Sequence, residues 1–363
     1  MTPPRHVILC GAGVVGASVA YFLARQGVAV TVVERTGVAC AASGKSGGFL
    51  ALDWCDSSPV GPLARASFAL HARLAREIRI DYGYRRMDTY MLAARETGAV
   101  RGGHRVPAPG WIDGAAIVAG ELGTTETTAQ VHPARFTTAL LDEARARGTV
   151  LRMGVVEGVA RRDGAVAGVI VEGQTLEGDA VVVALGPWTG RLRGLSLPPV
   201  HGLKGYSVTL AADDVPAHAL FMDYRTADGR ALEPEIIPRH DGTVYVCGMA
   251  DLQPLPDSPE GVEVSEAGCA TLARAAGRVS TRLAAAAIER KQACYRPVTD
   301  DGLPLIGRVP GVAGAYVATA HGPWGMLNAP ATGLALAELI TTGAAASVDL
   351  RPFDPARLAA ATV

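Results

Sequence analysis

A chain of 363 residues, 49% hydrophobic and 19% charged, is long enough for a large core and has the profile of a loop-rich α/β enzyme, not of a disordered or fibrous chain. A formal net charge of -1 gives no global electrostatic basis for nucleic-acid binding. Cys10, Cys40, Cys55, Cys247, Cys269 and Cys294 form no CxxC pair and no regular framework, which argues against structural zinc, any other metal centre and a disulfide scaffold, and fits free thiols in a reducing cytoplasm.

His6 to Cys10 is a short apolar run that predicts a buried parallel strand. Residues 14–26 predict a helix ended by Gly27, and residues 28–33 a second strand, which completes a βαβ unit. The uncharged stretch 7–24 imitates a membrane span or a signal peptide. Three glycines in its first ten residues, and the charged strand end at Glu34 and Arg35, assign it instead to strand, turn and helix, so no membrane association is expected. Residues 40–48 are small and rich in Gly and Ser. Residues 63–82 have helical apolar spacing, and residues 86–131 read as strand-rich and irregular. A helix is predicted over 132–148, with Pro133 near its start and Gly148 at its end.

A meander follows at 150–156, 158–162 and 165–172, turned at Asp163-Gly164. Residues 179–185 form an apolar strand that runs into Gly186-Pro187-Trp188. Residues 201–248 read as sheet, with a second hairpin turn at Asp241-Gly242. Residues 264–283 predict one helix, which 284–293 either extends or follows with a strand. The chain ends as strand 315–319, turn 321–325 and helix 326–342.

Gly11, Gly13 and Gly16, with Ala12, Val14 and Val15 between them, form G-A-G-V-V-G between the first strand and helix. The first Gly permits the tight turn, the second removes a side chain where a pyrophosphate approaches, and the third lets helix and strand pack closely. The helix N-terminus then offers unpaired N–H groups to phosphate. Glu34 closes the second strand, where it can accept hydrogen bonds from an adenosine ribose. An acid there argues against a 2′-phosphate, although Arg35 follows it. These motifs specify a dinucleotide without separating flavin from nicotinamide. The loop Ala42, Ser43, Gly44, Lys45, Ser46, Gly47 and Gly48 has a backbone able to line a flavin and its phosphates; a structural turn is the alternative.

On these residues the chain resembles the D-amino acid oxidase, glycine oxidase and sarcosine oxidase superfamily of FAD enzymes, nearly end to end in pattern. Val156 matches the position whose backbone contacts adenine. Ala184, Leu185, Gly186, Pro187 and Trp188 match a strand end that touches the cofactor. The stretch YRPVTDDGLPLIG…AHGPWGMLNAPATG is the most specific part and is closest to glycine oxidase. The resemblance implies that the pyrimidine end of the flavin meets His321, Gly322, Pro323, Trp324, Gly325 and Met326. The positive end of the following helix would then stabilise the reduced, anionic flavin. It implies oxidation of the C–N bond of an amine or amino acid, with hydride passing to flavin N5, an imine as product, and oxygen as the acceptor. A flavin dehydrogenase using a carrier or quinone is the first rival, and a non-redox flavoprotein the second.

Arg296 matches the family arginine that grips a substrate carboxylate; a structural salt bridge is the alternative. Glycine oxidase has a second arginine where this chain has Pro323. Trp324 beside it either covers an apolar substrate or packs. Cys294 aligns with the cysteine that carries covalent flavin in monomeric sarcosine oxidase; a buried small hydrophobe, and so noncovalent FAD, is the alternative. Lys45 either raises the positive potential near the flavin or meets phosphate or solvent. His321 either binds substrate or completes its turn. Tyr206, Tyr245 and Trp54 are pocket or packing residues, and Cys55 and Asp56 stay unassigned. The expected architecture is α/β: a discontinuous Rossmann-type FAD-binding domain (1–52, 130–203 and 292–363) with a mixed β-sheet substrate domain (53–129 and 204–291).

Overall fold

The computed structural model describes residues 3–100 and 104–361. The outer bounds expected for the cofactor domain, 1 and 363, and residues 101–103 of the expected strand-rich region lie outside the described residues. A six-stranded sheet runs in the order Leu305–Arg308, Ala315–Thr319, Ala180–Val183, His6–Cys10, Ala29–Glu34 and Val150–Met153. All its pairings are parallel except the edge pair Leu305–Arg308 with Ala315–Thr319. Strand alternation divides the apolar residues between its two faces. Val7 and Leu9 point to a core shared with the helices Val14–Arg25, Pro133–Arg145 and Gly325–Thr342. Ile8 and Cys10 point to a second core, under the antiparallel meander Val156–Arg162, Ala165–Val171 and Gln174–Glu177. Burial on both faces is why these strands read as continuous apolar runs.

The second large sheet has eight strands and mixed direction. Its order is Ile288–Val298, His201–Ala211, Thr243–Asp251, Glu235–Pro238, His218–Arg225, Asp88–Arg95 and Ile117–Gly123, with Ala231–Leu232 paired beside His218–Arg225. One face packs on the helices Glu266–Gly277 and Thr281–Ala285 through Val208, Leu220, Ile236, Val246 and Leu272. The other face turns toward the first sheet. Strand Ile288–Val298 straddles residue 292 and pairs with His201–Ala211 along its length, carrying Cys294 and Arg296 on the larger sheet. Among the described residues no helix is long and apolar enough to cross a membrane.

Two sequence expectations change. The helix expected over 264–283 is two helices, because Ser280 leaves helical geometry and its hydroxyl caps the N–H of Arg282, restarting the chain. Of residues 284–293, left open between helix and strand, Ala284 and Ala285 close the second helix and the strand begins at Ile288. The final helix contains Pro330, which cannot donate to Met326 O. The helix Gly61–Glu77 repairs the defect. His71 Nε2 lies 3.1 Å from Met326 O and 3.2 Å from Leu327 O, and Ala331 N–H donates to Ser67 Oγ at 3.1 Å. The first turns of the final helix are thus held by a neighbour's side chains.

Candidate active site

A single elongated cavity of about 540 Å³ runs from the opening glycine turn to the turn before the final helix. Gly11, Gly13, Val14, Val15, Glu34 and Arg35 line one end, and His321, Gly322, Pro323, Trp324, Gly325 and Met326 line the other. The rest of the wall includes Ala42, Ser43, Lys45, Ser46, Gly47 and Gly48, Val156, Ala184, Leu185, Gly186, Pro187 and Trp188, and Cys294 and Arg296. Ala12, Gly16 and Gly44 stand behind this wall. A Cβ on Gly16 would meet Gly11 O at 2.1 Å, and one on Gly44 would meet Ala39 O at 2.2 Å, so both are small for close packing.

The glycine turn is built from the sheet outward. Gly11 has φ +106°, and a Cβ there would lie 2.5 Å from Ala184 O, so the turn closes directly over the neighbouring strand end. Gly13 precedes the helix Val14–Arg25. The Val14 N–H donates to Ser43 Oγ at 2.9 Å, tying the second small-residue loop to the helix N-terminus. Glu34 holds the turns themselves. Its carboxylate accepts from the N–H groups of Ala12 and Thr36 at 2.8 Å each and of Gly37 at 3.3 Å, which fixes both turns at this end. Arg35 Nε lies 3.7 Å from Glu260 of the opposite half, and Thr36 Oγ1 donates to the same carboxylate at 2.6 Å.

The loop of residues 42–48 is clamped by the larger sheet. Lys45 Nζ donates to Ala293 O at 3.1 Å, Tyr245 Oη to Lys45 O at 2.9 Å, and Arg239 Nη2 to Ser46 O at 2.9 Å. Tyr245 therefore spends its hydroxyl on the loop rather than on a ligand. Tyr206 donates to Asp251 at 2.9 Å. Trp188 Nε1 donates to Pro256 O at 2.9 Å, and its side chain borders the cavity. Asp56 pairs with Arg65 at the surface, and Cys55 is buried off the cavity.

At the closing end, Ala320 and Gly322 flank His321 with φ +61° and +56°, a strained turn of the kind that functional sites retain. His321 Nε2 lies 3.0 Å from Thr332 Oγ1, so it completes the turn onto the final helix, and burial pushes its pKa down to about 4. The imidazole is neutral, and the local positive potential comes from the helix N-terminus. Trp324 packs edge-on to Trp54 at 6.2 Å; Trp54, Phe49 and Phe221 meet tilted or edge-on with centroids 4.9–5.1 Å apart, giving an aromatic wall. Burial pushes the Cys294 thiol up, against the pull of Arg296 and Lys45. Burial likewise works against the Arg296 charge, but Cys247, Glu235, Tyr245 and Cys294 around it outweigh burial and hold the guanidinium protonated.

Sequence reasoning missed Phe49, Gly205, Ser207, Phe221, Glu235 and Cys247 in this wall. They come from ordinary strands; the register of the larger sheet brings all but Phe49 to one face, and Phe49 comes from a short strand paired with Thr128–Gln130. The one available signal was strand alternation itself.

Buried histidines make the fold acid-sensitive. Burial holds His71 and His321 down to about 4, and burial together with Arg239 does so for His132. Unfolded histidine titrates near 6.5, so the stability they contribute is complete above that pH and is lost as pH falls toward 4. His71 alone is expected to account for about 3 kcal/mol of the loss. Thermal midpoints at pH 7.5 and 4.5 check this: the acid value is expected to be well below the neutral one, and equal values contradict the assignment.

The family model described as "FAD dependent oxidoreductase" matches residues 6–339. An oxidoreductase of Schizosaccharomyces pombe is 31% identical over 98% of this chain and 99% of its own length. A glycine oxidase of Pseudomonas aeruginosa is 30% identical over 97% of this chain and 99% of its own. The crystal structure of glycine oxidase from Geobacillus kaustophilus superposes with a TM-score of 0.77 at 25% identity, covering 98% of this chain and 99% of that one.

Proposed function

This chain belongs to the FAD-dependent oxidoreductase family, and from that premise we propose that it oxidises the C–N bond of a carboxylate-bearing amine or amino acid, with oxygen as electron acceptor. The observation that carries the reading is the one cavity that joins the glycine turn to the closing turn and places Arg296 in its wall. The residues present suit the dinucleotide. Gly13 leaves the helix N-terminus open, and a Cβ there would sit 3.1 Å from Ser43 Oγ. We assign the pyrophosphate to residues 11–15 and 42–44, the adenosine to Glu34, Arg35 and Val156, and the flavin ring to Lys45–Gly48, Ala184–Trp188, Cys294 and residues 322–326. When bound, FAD would supply a two-electron acceptor for the hydride of the substrate α-carbon, the chemistry by which an amine becomes a hydrolysable imine.

The chain's own groups then bind and orient. Arg296 pairs with the substrate carboxylate through two parallel hydrogen bonds. Trp324, with Trp54, Phe49 and Phe221, excludes water from the apolar side. The neutral His321 fixes the turn and leaves the helix N-terminus to stabilise negative charge. Lys45 adds positive potential that favours reduction of oxygen. We assign FAD as noncovalent, because burial disfavours the Cys294 thiolate that a covalent link requires.

Anaerobic titration with amines and amino acids tests the reading. Loss of the flavin band near 450 nm with a carboxylate-bearing amine, peroxide release on admitting air, and yellow colour in the supernatant after acid precipitation are expected. Bleaching without peroxide identifies a dehydrogenase. A flavin that no amine reduces identifies a non-redox flavoprotein.

A further inference from the structure

Glu235 is the half-buried carboxylate in the cavity wall that the reading above leaves without a task. It opens strand Glu235–Pro238, opposite Phe221 on one neighbour and Cys247 on the other, so it stands beside the aromatic wall. Cys247 Sγ donates to its Oε2 at a long 3.6 Å. Arg296 lines the same cavity from strand Ile288–Val298. A Cβ on Gly205 would lie 3.1 Å from Arg296 Nη2, so the missing side chain leaves the sheet floor open to the guanidinium. Each of the two groups feels the other's charge, yet among the described residues neither closes an ion pair.

A carboxylate partly withdrawn from solvent is costly to keep, and an apolar residue of similar volume serves stability at least as well. One anion and one cation, unpaired with each other and facing the same chamber, match a ligand that carries both signs. We propose that Glu235 is the cation-binding half of the substrate subsite: it receives the charged nitrogen of a zwitterionic amine whose carboxylate pairs with Arg296, and takes one proton from it. In that step an N–H bond breaks, its electron pair stays on nitrogen, and an O–H bond forms on Glu235; nothing is oxidised. The neutral amine so formed is the species able to give up hydride. This rests on the amine-oxidising reading and adds the charge state of its substrate. Burial raises the Glu235 carboxyl and Arg296 lowers it, which suits a group that exchanges a proton with an amine. The other titratable groups around it are Cys247 and Tyr245 from strand Thr243–Asp251, Cys294 from strand Ile288–Val298, Lys45 from the clamped loop and His321 across the cavity.

The test compares FAD-loaded wild-type protein with Glu235→Gln. D- and L-phenylalanine and N-methylglycine serve as zwitterions, and 3-phenylpropanoate as a ligand with a carboxylate alone. Flavin bleaching reads the zwitterions, and perturbation of the flavin spectrum reads 3-phenylpropanoate. Glu235→Gln is expected to slow bleaching at low zwitterion concentration by about tenfold or more, and to bind 3-phenylpropanoate more tightly than wild type. Equal losses for both ligand types, or no change in either, overturn the proposal. If no amine, within or beyond this panel, bleaches the wild-type flavin, the oxidase reading fails and takes the proposal with it; bleaching that Glu235→Gln leaves unchanged overturns the proposal alone. Should the variant fail to fold, wild-type protein decides: 3-phenylpropanoate must bind less tightly as pH rises and Glu235 ionises, and constant binding overturns the assignment.

Discussion

Gly11→Ala is expected to yield protein that has lost its FAD. Gly11 is the point where the opening turn lies against the strand end Ala180–Val183, and its backbone has φ +106°. A methyl group there meets Ala184 O at 2.5 Å, a backbone atom that can yield only if the strand end moves. That movement displaces Ala184 and Leu185, which line the cavity on the flavin side, along with the turn itself. Positive φ and the clash together are expected to cost about 3 kcal/mol or more, roughly two orders of magnitude in affinity if the cost falls on the bound conformation. Gly27→Ala is the control: Gly27 has φ +76° but nothing within 4 Å of its Cβ position, and it lies at the far end of the helix. It is expected to lose about 1 kcal/mol of stability and to keep its flavin. Flavin content per folded chain measures both. A Gly11→Ala protein that purifies fully yellow contradicts the role given to this turn.

Arg296→Ala is expected to lower kcat/KM for carboxylate-bearing substrates by about a thousandfold, because it removes a half-buried, charged, two-point anchor. Neutral amines of the same size are expected to lose less than about tenfold, the residue of lost packing. Arg296→Lys restores charge but not the planar fork and is expected to fall between. A structural arginine would give equal losses for both substrate classes. The structure favours the unequal outcome: among the described residues Arg296 closes no ion pair, and its guanidinium faces the cavity. Pro323 stands where the resemblance implies a second arginine, so that position cannot compensate for the loss.

The glycine-turn end of this cavity was legible because its residues are local in sequence. Gly11, Gly13 and Gly16 sit within six residues, the strands on either side are buried on both faces, and Glu34 follows at the spacing a βαβ unit dictates. The closing turn was legible for the same reason. Glu235 was not: residues 233–238 read as one more strand entry, and nothing local tells which way its carboxylate points. Its place depends on pairing with Cys247 and Phe221, residues 12 and 14 positions away on two other strands. His71 was hidden likewise, since Pro330 announces a broken helix but not the neighbour that repairs it. The break at Ser280 was missed because apolar spacing carries on through both helices and only the cap interrupts them. Tyr245 was visible as a pocket residue, but its hydroxyl is taken by Lys45 O, a contact set by tertiary structure alone.

A crystal structure of the FAD-loaded protein puts the question most simply. One dinucleotide should lie with its phosphates over residues 11–15 and its ring system against residues 322–326. A ring held elsewhere, or phosphates bound away from the first helix, would mean that the two ends of the cavity serve different ligands.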